Sequence, residues 1–334
     1  MIFLTKTLKP STWQRFDISS IRTISMPANT SFKKLEWLAY LLLILTTLFW
    51  GGNFVVGRAV HAEIPPIALA WWRWLLALVI ILPFALRPLW QARGILRQHW
   101  KNLTLMSLLG VTGFNTLVYL GLQTLPASNA ILLLSACPVF ILAFSWWFFG
   151  DRVNQLQILG MLVSLGGIAI LVSKGAPLDI LSQLGSGNGN LWVLTAVISW
   201  ALYSVMLRLR PAGLGGLAFF GLTTLIGLLL LTPFYLYEML VQGKSLTFNT
   251  TSLLSISYVA VFASVAAFLF WNKGVEILTA ARAGYFIHLI PVWGLLLASL
   301  FLAERLQLFH WLGMAFIFCG IWLATVLGRR KATK

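Results

Sequence analysis

The sequence predicts an all-α polytopic membrane protein of ten transmembrane helices, arranged as two inverted five-helix repeats. Three observations carry that prediction: a charge-poor composition, ten apolar stretches of spanning length, and an internal duplication. Hydrophobic residues make up 59% of the 334 positions and charged residues only 10%, with a mean hydropathy of +0.88. Soluble domains carry about 25% charged residues. The 16 tryptophans suit a bilayer protein, because indole favours the headgroup level. A net charge of +16 in a soluble chain would point to nucleic acid. Here the basic residues flank apolar stretches, so the charge reads as topology and no nucleic-acid partner is implied. Cys137 and Cys319 both lie in apolar stretches at non-equivalent repeat positions, which suggests neither a disulfide framework nor a metal site.

The duplication is legible without gaps. A shift of 153 lays Gly121–Val172 on Gly274–Thr325, matching Pro138 to Pro291, Asp151-Arg152 to Glu304-Arg305, and Leu159-Gly160-Met161 to Leu312-Gly313-Met314. Upstream, a shift of 150 brings Trp50, Arg58 and Pro83 onto Trp200, Arg208 and Pro233. Apolar composition alone matches Leu to Leu, but not a mid-helix proline together with an acidic-Arg pair and spaced glycines.

Charged and Pro/Gly punctuation delimits each span, and about 20 residues suffice to cross at helical rise. The first, 37–57, lies between Lys33-Lys34 and Arg58, and the second, 65–86, between Pro65 and Arg87. The third, 102–122, follows Lys101; the fourth, 127–149, follows Pro126 and stops at Gly150-Asp151-Arg152. The fifth, 155–173, ends at Lys174, and the sixth, 190–208, ends at Arg208 after a Gly/Asn-rich run. Spans 214–236, 252–272, 281–302 and 309–327 follow Pro211, precede Lys273, precede Glu304 and precede Arg329 respectively. The units are thus a basic tail at 1–35, a first repeat at 36–173, a linker at 174–189, a second repeat at 190–328 and a basic tail at 329–334. The first tail reads as an amphipathic or targeting segment, or as leader sequence preceding a translation start at Met26.

Each repeat holds five spans, and five is odd, so the second repeat enters the membrane from the opposite side. Inverted-topology repeats are an architecture of secondary transporters. With a cytoplasmic N-terminus, nineteen Lys and Arg fall on the cytoplasmic side, including Arg87, Arg93, Arg97, Lys101 and Arg282. Four fall on the other side: Arg58, Lys174, Lys244 and Arg305. The excess of Lys and Arg places both termini in the cytoplasm.

Certain residues also resemble a known family. Trp50-Gly51-Gly52-Asn53-Phe54 resembles the Trp-Gly-small-Asn-Phe signature of the drug/metabolite transporter superfamily in its EamA-type ten-helix branch. Arg73, after the Pro65-Pro66 start of the second span, is similarly placed, and ARAGYFIHLIPVWGLLLASLFLAERL from Ala281 to Leu306 is similar to the family's ninth helix. The resemblance covers roughly residues 35–328 in both repeats. It implies ten helices, cytoplasmic termini in the inner membrane, and movement of small organic metabolites, often outward.

Arg73 lies eight residues past Pro65, about 12 Å into the membrane at about 1.5 Å per residue. An ionised arginine at the centre costs at least about 2.5–3.5 kcal/mol, so it needs a wet cavity, a partner or the interface. It reads either as a helix-packing arginine or as an anchor for an anionic group, which a guanidinium can fork. Its repeat mate is Thr223. His288, whose mate is Ser135, reads either as a neutral hydrogen-bonded histidine or as a proton-coupling group. No Asp or Glu is expected deep in a span, so a coupled proton would use His288, Glu276, Glu36 or none of them; Glu276 reads otherwise as pairing with Lys273 and Arg282 at the cytoplasmic end.

Asn53, Asn115, Tyr119 and Tyr203 place polar groups in apolar helices, where they turn to the bundle interior. Asn53 and Tyr203 are repeat mates expected to face each other across the pseudo-two-fold axis, and Trp50 and Trp200 are expected to wall the same cavity or to pack. Pro138 and Pro291 remove a backbone N–H in mid-span and read as equivalent hinges or as static bends. Gly160, Ser164 and Gly167, with Ala260, Ser264 and Ala267, read as close-packing faces.

No phosphate loop, HExxH motif or nucleophile elbow is present, so neither ATP hydrolysis nor hydrolytic catalysis has an obvious seat. No cofactor is implied. The reading is a non-enzymatic secondary transporter of a small solute, an amino acid or related anion or zwitterion, embedded in the lipid bilayer, with His288 the candidate group should protons be coupled and no oligomeric partner required. A uniporter or exchanger fits as well as a proton-coupled carrier. The rival classes are a membrane-embedded enzyme acting on lipids or quinones, which needs a polar cluster at one face, and a membrane sensor, which needs a soluble domain.

Overall fold

Ten helices of spanning length form the bundle in the computed structural model, which describes residues 29–173, 188–302 and 307–328. They are α1 (Lys33–Ala59), α2 (Pro66–Gln91), α3 (Arg93–Leu122), α4 (Ala127–Phe149), α5 (Gln155–Val172), α6 (Asn188–Leu209), α7 (Gly216–Leu240), α8 (Thr250–Leu278), α9 (Ala280–Leu297) and α10 (Leu308–Leu327). The tail around Met26, linker residues 174–187 and Glu304-Arg305 lie outside the described residues. The third span is longer than its hydropathy suggested, because the basic run from Arg93 is already helical, with a break at His99 (φ −111°, ψ 17°).

Packing between the repeats obeys the duplication. The contact of α1 with α8 is matched by that of α6 with α3, and the contact of α4 with α6 by that of α9 with α1. The self-matched pairs α2–α7 and α5–α10 close the bundle. On the axis, Gly284 sits beside Ile141 and Gly294 beside Ile131, and the 153-residue shift converts one contact into the other. The α5–α10 crossing is a backbone contact: a Cβ on Gly167 would lie 2.6 Å from the Gly313 carbonyl, and one on Gly320 2.6 Å from the Ser164 nitrogen. Close approach of this kind favours small residues, since lipid offers no hydrophobic drive to association.

Equivalent irregularities interrupt equivalent helices. α3 is π-helical over Leu108–Gly113 and α8 over Val259–Ala266. α4 breaks at Ser135-Ala136 before the segment Cys137–Phe149, and α9 tightens to a 3-10 turn over Tyr285–Leu289 before Ile290–Leu302. Pro138 and Pro291 therefore open second half-helices, where a missing N–H costs nothing.

The polarity gradient is that of a membrane protein. Leu162, Leu229, Phe234, Phe318 and Trp322 are exposed, whereas Arg73, Asn53, Asn115 and His288 are buried.

Candidate functional site

For reference, the near face is the one from which α1 starts and the far face the one at which it ends. Polar side chains gather at two levels inside the bundle, separated by aromatic rings.

The far level is built around Arg73 of α2, which is fully buried. Its Nη1 donates to Asn115 Oδ1 at 2.8 Å, to the Tyr119 hydroxyl at 2.6 Å and to Asn53 Oδ1 at 3.2 Å. Its Nε donates to Ser264 Oγ at 2.8 Å and its Nη2 to the Ala263 carbonyl at 3.1 Å. Tyr119 in turn donates to Asn53 Oδ1 at 2.7 Å. The Ala263 carbonyl lies in the π-helical stretch of α8 and also accepts from Trp50 Nε1 at 3.2 Å. Among the described residues no carboxylate pairs with Arg73.

The middle level is aromatic. Trp50 and Trp200 meet edge to face with ring centroids 4.9 Å apart, and Trp271 and Phe268 pack on both. At the near level, Tyr203 of α6 donates to Asn272 Oδ1 of α8 at 3.0 Å. Among the described residues, four buried donors in and around these layers have no acceptor: Asn115 Nδ2, Asn272 Nδ2, Trp74 Nε1 and Trp200 Nε1.

The expected pairing of Asn53 with Tyr203 across the axis is not what forms. Each bonds within its own level, because the aromatic rings stand between them. Trp50 and Trp200 do meet. His288 lies at the junction of three helices, its Nε2 3.0 Å from the carbonyl of Ser135, its own repeat mate, and its Nδ1 2.6 Å from Ser164 Oγ. Ser164 and Ser264, which read in the sequence as packing residues, are thus also hydrogen-bond partners.

The acidic residues follow the sequence reading only in part, Glu276 and Lys273 pairing as expected. α7 extends to Leu240 and so includes Glu238, which is buried and accepts from the N–H groups of Ile67 and Ala68 at 3.2 and 2.7 Å. It satisfies the free donors that the Pro65-Pro66 start leaves at the N-terminus of α2. The Pro-Pro opening was the available signal, since those N–H groups had to find an acceptor. Glu276 pairs with Arg210 at 3.2 Å and Lys273 at 3.0 Å, not with Arg282. Arg282 instead reaches buried Glu36 at 3.2 Å and the Tyr40 hydroxyl at 2.8 Å, because α9 packs along α1.

At the near face, a cleft of about 250 Å³ opens between the repeats, lined by Ser145, Asp151, Arg152, Gln157, Arg208 and Arg282 among others. Asp151 and Arg208 pair across it at 3.0 Å. Among the described residues, no three His, Cys, Asp or Glu gather as metal ligands would.

Comparison with known proteins matches the model of the EamA-like transporter family to residues 37–173 and again to residues 187–326. An uncharacterized transporter of Bacillus subtilis, YetK, is 27% identical over 294 residues, covering 86% of this chain and 87% of its own. A protein of Escherichia coli named a probable amino-acid metabolite efflux pump is 26% identical over 304 residues, covering 88% of this chain and 97% of its own. A solved crystal structure shares the fold at a TM-score of 0.67 and 21% identity, covering 91% of this chain and 99% of that one.

Proposed function

Because the chain belongs to the EamA-like transporter family, a family of multi-pass membrane transporters, we propose that it carries a small anionic or zwitterionic metabolite of the amino-acid class out of the cell by alternating access. The observation that carries this reading is Arg73, a buried cation whose partners among the described residues are all neutral oxygens. Dipoles hold a guanidinium in place without cancelling its charge, so the site attracts an anion. A solute carboxylate is the simplest anion to satisfy it, and Asn115 Nδ2 and Trp74 Nε1 are further donors buried without acceptors. Asn53, Asn115 and Tyr119 orient Arg73 and hydrogen-bond the solute, Trp50 and Trp200 enclose its apolar part, and Tyr203 contributes from the near level. The E. coli relative's name, with its amino-acid metabolites and efflux, supports both the solute class and the direction.

The near face is assigned to the cytoplasm and both termini with it, in the inner membrane, on the excess of Lys and Arg at that side. Pro138 and Pro291, each opening a half-helix at the axis, serve as the hinges on which the repeats rock.

His288 is assigned as the proton carrier, on hydrogen-bond geometry. In the neutral ring, Nε2–H donates to the Ser135 carbonyl and the Ser164 hydroxyl donates to Nδ1. A proton arriving at Nδ1 is accommodated when the Ser164 hydroxyl turns to the Met161 carbonyl, 3.0 Å away, leaving Oγ as acceptor. No heavy atom need move.

The test is transport in proteoliposomes with a panel of labelled amino acids, their decarboxylated amines and their deaminated acids, with and without a proton gradient. Solutes bearing a carboxylate should be carried and the amines refused. Equal transport of the amines would overturn the assignment of Arg73.

A further inference from the structure

The hydrogen bond between Tyr119 and Asn53 recurs in the other repeat with its residues exchanged. The shift of 150 carries Asn53 to Tyr203, and the shift of 153 carries Tyr119 to Asn272. Both pairs bond, at 2.7 Å at the far level and 3.0 Å at the near level. Asparagine stands on α1 and tyrosine on α3 in one repeat, tyrosine on α6 and asparagine on α8 in the other. Both residue identities differ between the repeats, and the bond between the two positions is kept.

A tie between helices would need only that bond, yet the near level holds more. Asn272 Nδ2 and Trp200 Nε1 have no acceptor, although Asn272 is 5% and Trp200 1% exposed. Trp50, the repeat mate of Trp200, has its acceptor in the Ala263 carbonyl at 3.2 Å. The rings of Trp200 and Tyr203 are 5.1 Å apart, so the donor-rich groups are neighbours. Space for the Tyr203 ring is kept by Gly110, where a Cβ would lie 2.6 Å from it. The position equivalent to Arg73 is Thr223, whose hydroxyl turns back to the Phe219 and Phe220 carbonyls of its own helix, so the guanidinium of the far level has no repeat mate here.

We propose that Tyr203, Asn272 and Trp200 form a second, uncharged binding station on the near side of the Trp50–Trp200 pair, which takes a hydrogen-bond-accepting oxygen of the solute. This rests on the transporter reading above and adds a second stop to the path. The solute meets neutral donors at one level and the guanidinium at the other. Arg73 alone distinguishes charged from neutral solutes; the near station binds carbonyl, carboxylate or hydroxyl oxygens alike.

Two measurements test it, the first without any solute. In a Cys137→Ser/Cys319→Ser background, Asn272→Cys should react with a membrane-impermeant methanethiosulfonate reagent only from the near face, in inside-out vesicles. Asn53→Cys should react only from the opposite face. If Asn272→Cys is unreactive from both faces, or reacts from the same face as Asn53→Cys, the near level is a helix tie and not a station. The second uses the labelled amino acids of the transport panel. Asn272→Leu should raise the half-saturating concentration at the near face about tenfold, the worth of one hydrogen bond, with little change at the far face. The exchange Tyr203→Asn/Asn272→Tyr, which rebuilds the far-level arrangement, should recover most of it. Equal changes at both faces, or a loss of maximal rate alone, would overturn the proposal. If the cysteines label as expected but no amino acid is carried, the station stands and the solute class fails.

Discussion

Trp50 and Trp200, the same position of the two repeats, touch each other at 4.9 Å, edge to face, in the middle of the bundle. Residues related by a two-fold axis meet only on that axis, so this pair marks it. Their environments nonetheless differ. The indole of Trp50 donates to the Ala263 carbonyl in the π-helical stretch of α8, whereas among the described residues that of Trp200 has no acceptor. The axis is therefore approximate where the solute is proposed to pass.

That difference is measurable as stability. Trp50→Phe removes a made hydrogen bond and strands a carbonyl still partly satisfied by Arg73; Trp200→Phe removes a donor that had no acceptor. Trp50→Phe should cost about 1 kcal/mol more than Trp200→Phe, the usual net worth of such a bond. Thermal unfolding in detergent reads the difference, and a larger loss for Trp200→Phe would contradict the assignment.

Arg73 spreads its donors over Asn53, Asn115, Tyr119, Ser264 and the Ala263 carbonyl, a planar fan that an ammonium cannot reproduce. Arg73→Lys should therefore behave almost as badly as Arg73→Gln, each leaving less than about a tenth of wild-type kcat/KM for carboxylate-bearing solutes, a loss of more than about 1.4 kcal/mol. Near-normal transport by Arg73→Lys would mean that charge alone matters and the fan does not.

Glu238 receives the two free N–H groups at the start of α2 with a buried carboxylate. Glu238→Gln keeps one acceptor oxygen but replaces the other with a donor facing an N–H. It should lower stability by about 1–2 kcal/mol, the range of N-cap losses and of charge at a helix N-terminus. Thermal unfolding tests this, and an unchanged midpoint would show that the N-terminus of α2 finds another acceptor.

The bundle was legible because duplication and hydropathy act at the level of whole helices. Ten spans and the inversion of the second repeat follow from 20-residue apolar stretches and from an odd number of spans per repeat. The far-level site was half legible: Arg73, Asn53, Asn115 and Tyr119 are polar residues in apolar helices, and such residues must converge. Asn272 went unread because it lies one residue before Lys273, where a polar residue looks like the end of a span, yet α8 runs on to Leu278. Ser264 and the Ala263 carbonyl were illegible because their role depends on a π-helical turn, and no residue pattern in Val259–Ala266 announces one. Lys273 was read correctly as a partner of Glu276, but Arg210 was missed and Arg282 was misassigned, because sequence distance ranks nearby residues above the side chains that packing brings alongside.

His288 offers the sharpest separation of mechanism from architecture. The imidazole joins α9 to the Ser135 carbonyl of α4 and to Ser164 of α5, so removing it disturbs packing as well as any proton transfer. Two variants divide these roles. His288→Asn retains hydrogen-bonding groups but cannot titrate, and transport by it should lose its dependence on pH and on the proton gradient. Ser164→Ala leaves the imidazole in place but removes the hydroxyl that turns between Nδ1 and the Met161 carbonyl. A proton on Nδ1 then has no acceptor, so the charged ring is disfavoured, and the acidic limb of the pH profile should shift to lower pH. A static tie predicts the reverse pattern: both variants reduce the rate by similar factors at every pH. Transport rates measured across the pH range in proteoliposomes decide between the two, and parallel profiles for wild type and both variants would remove His288 from the coupling step.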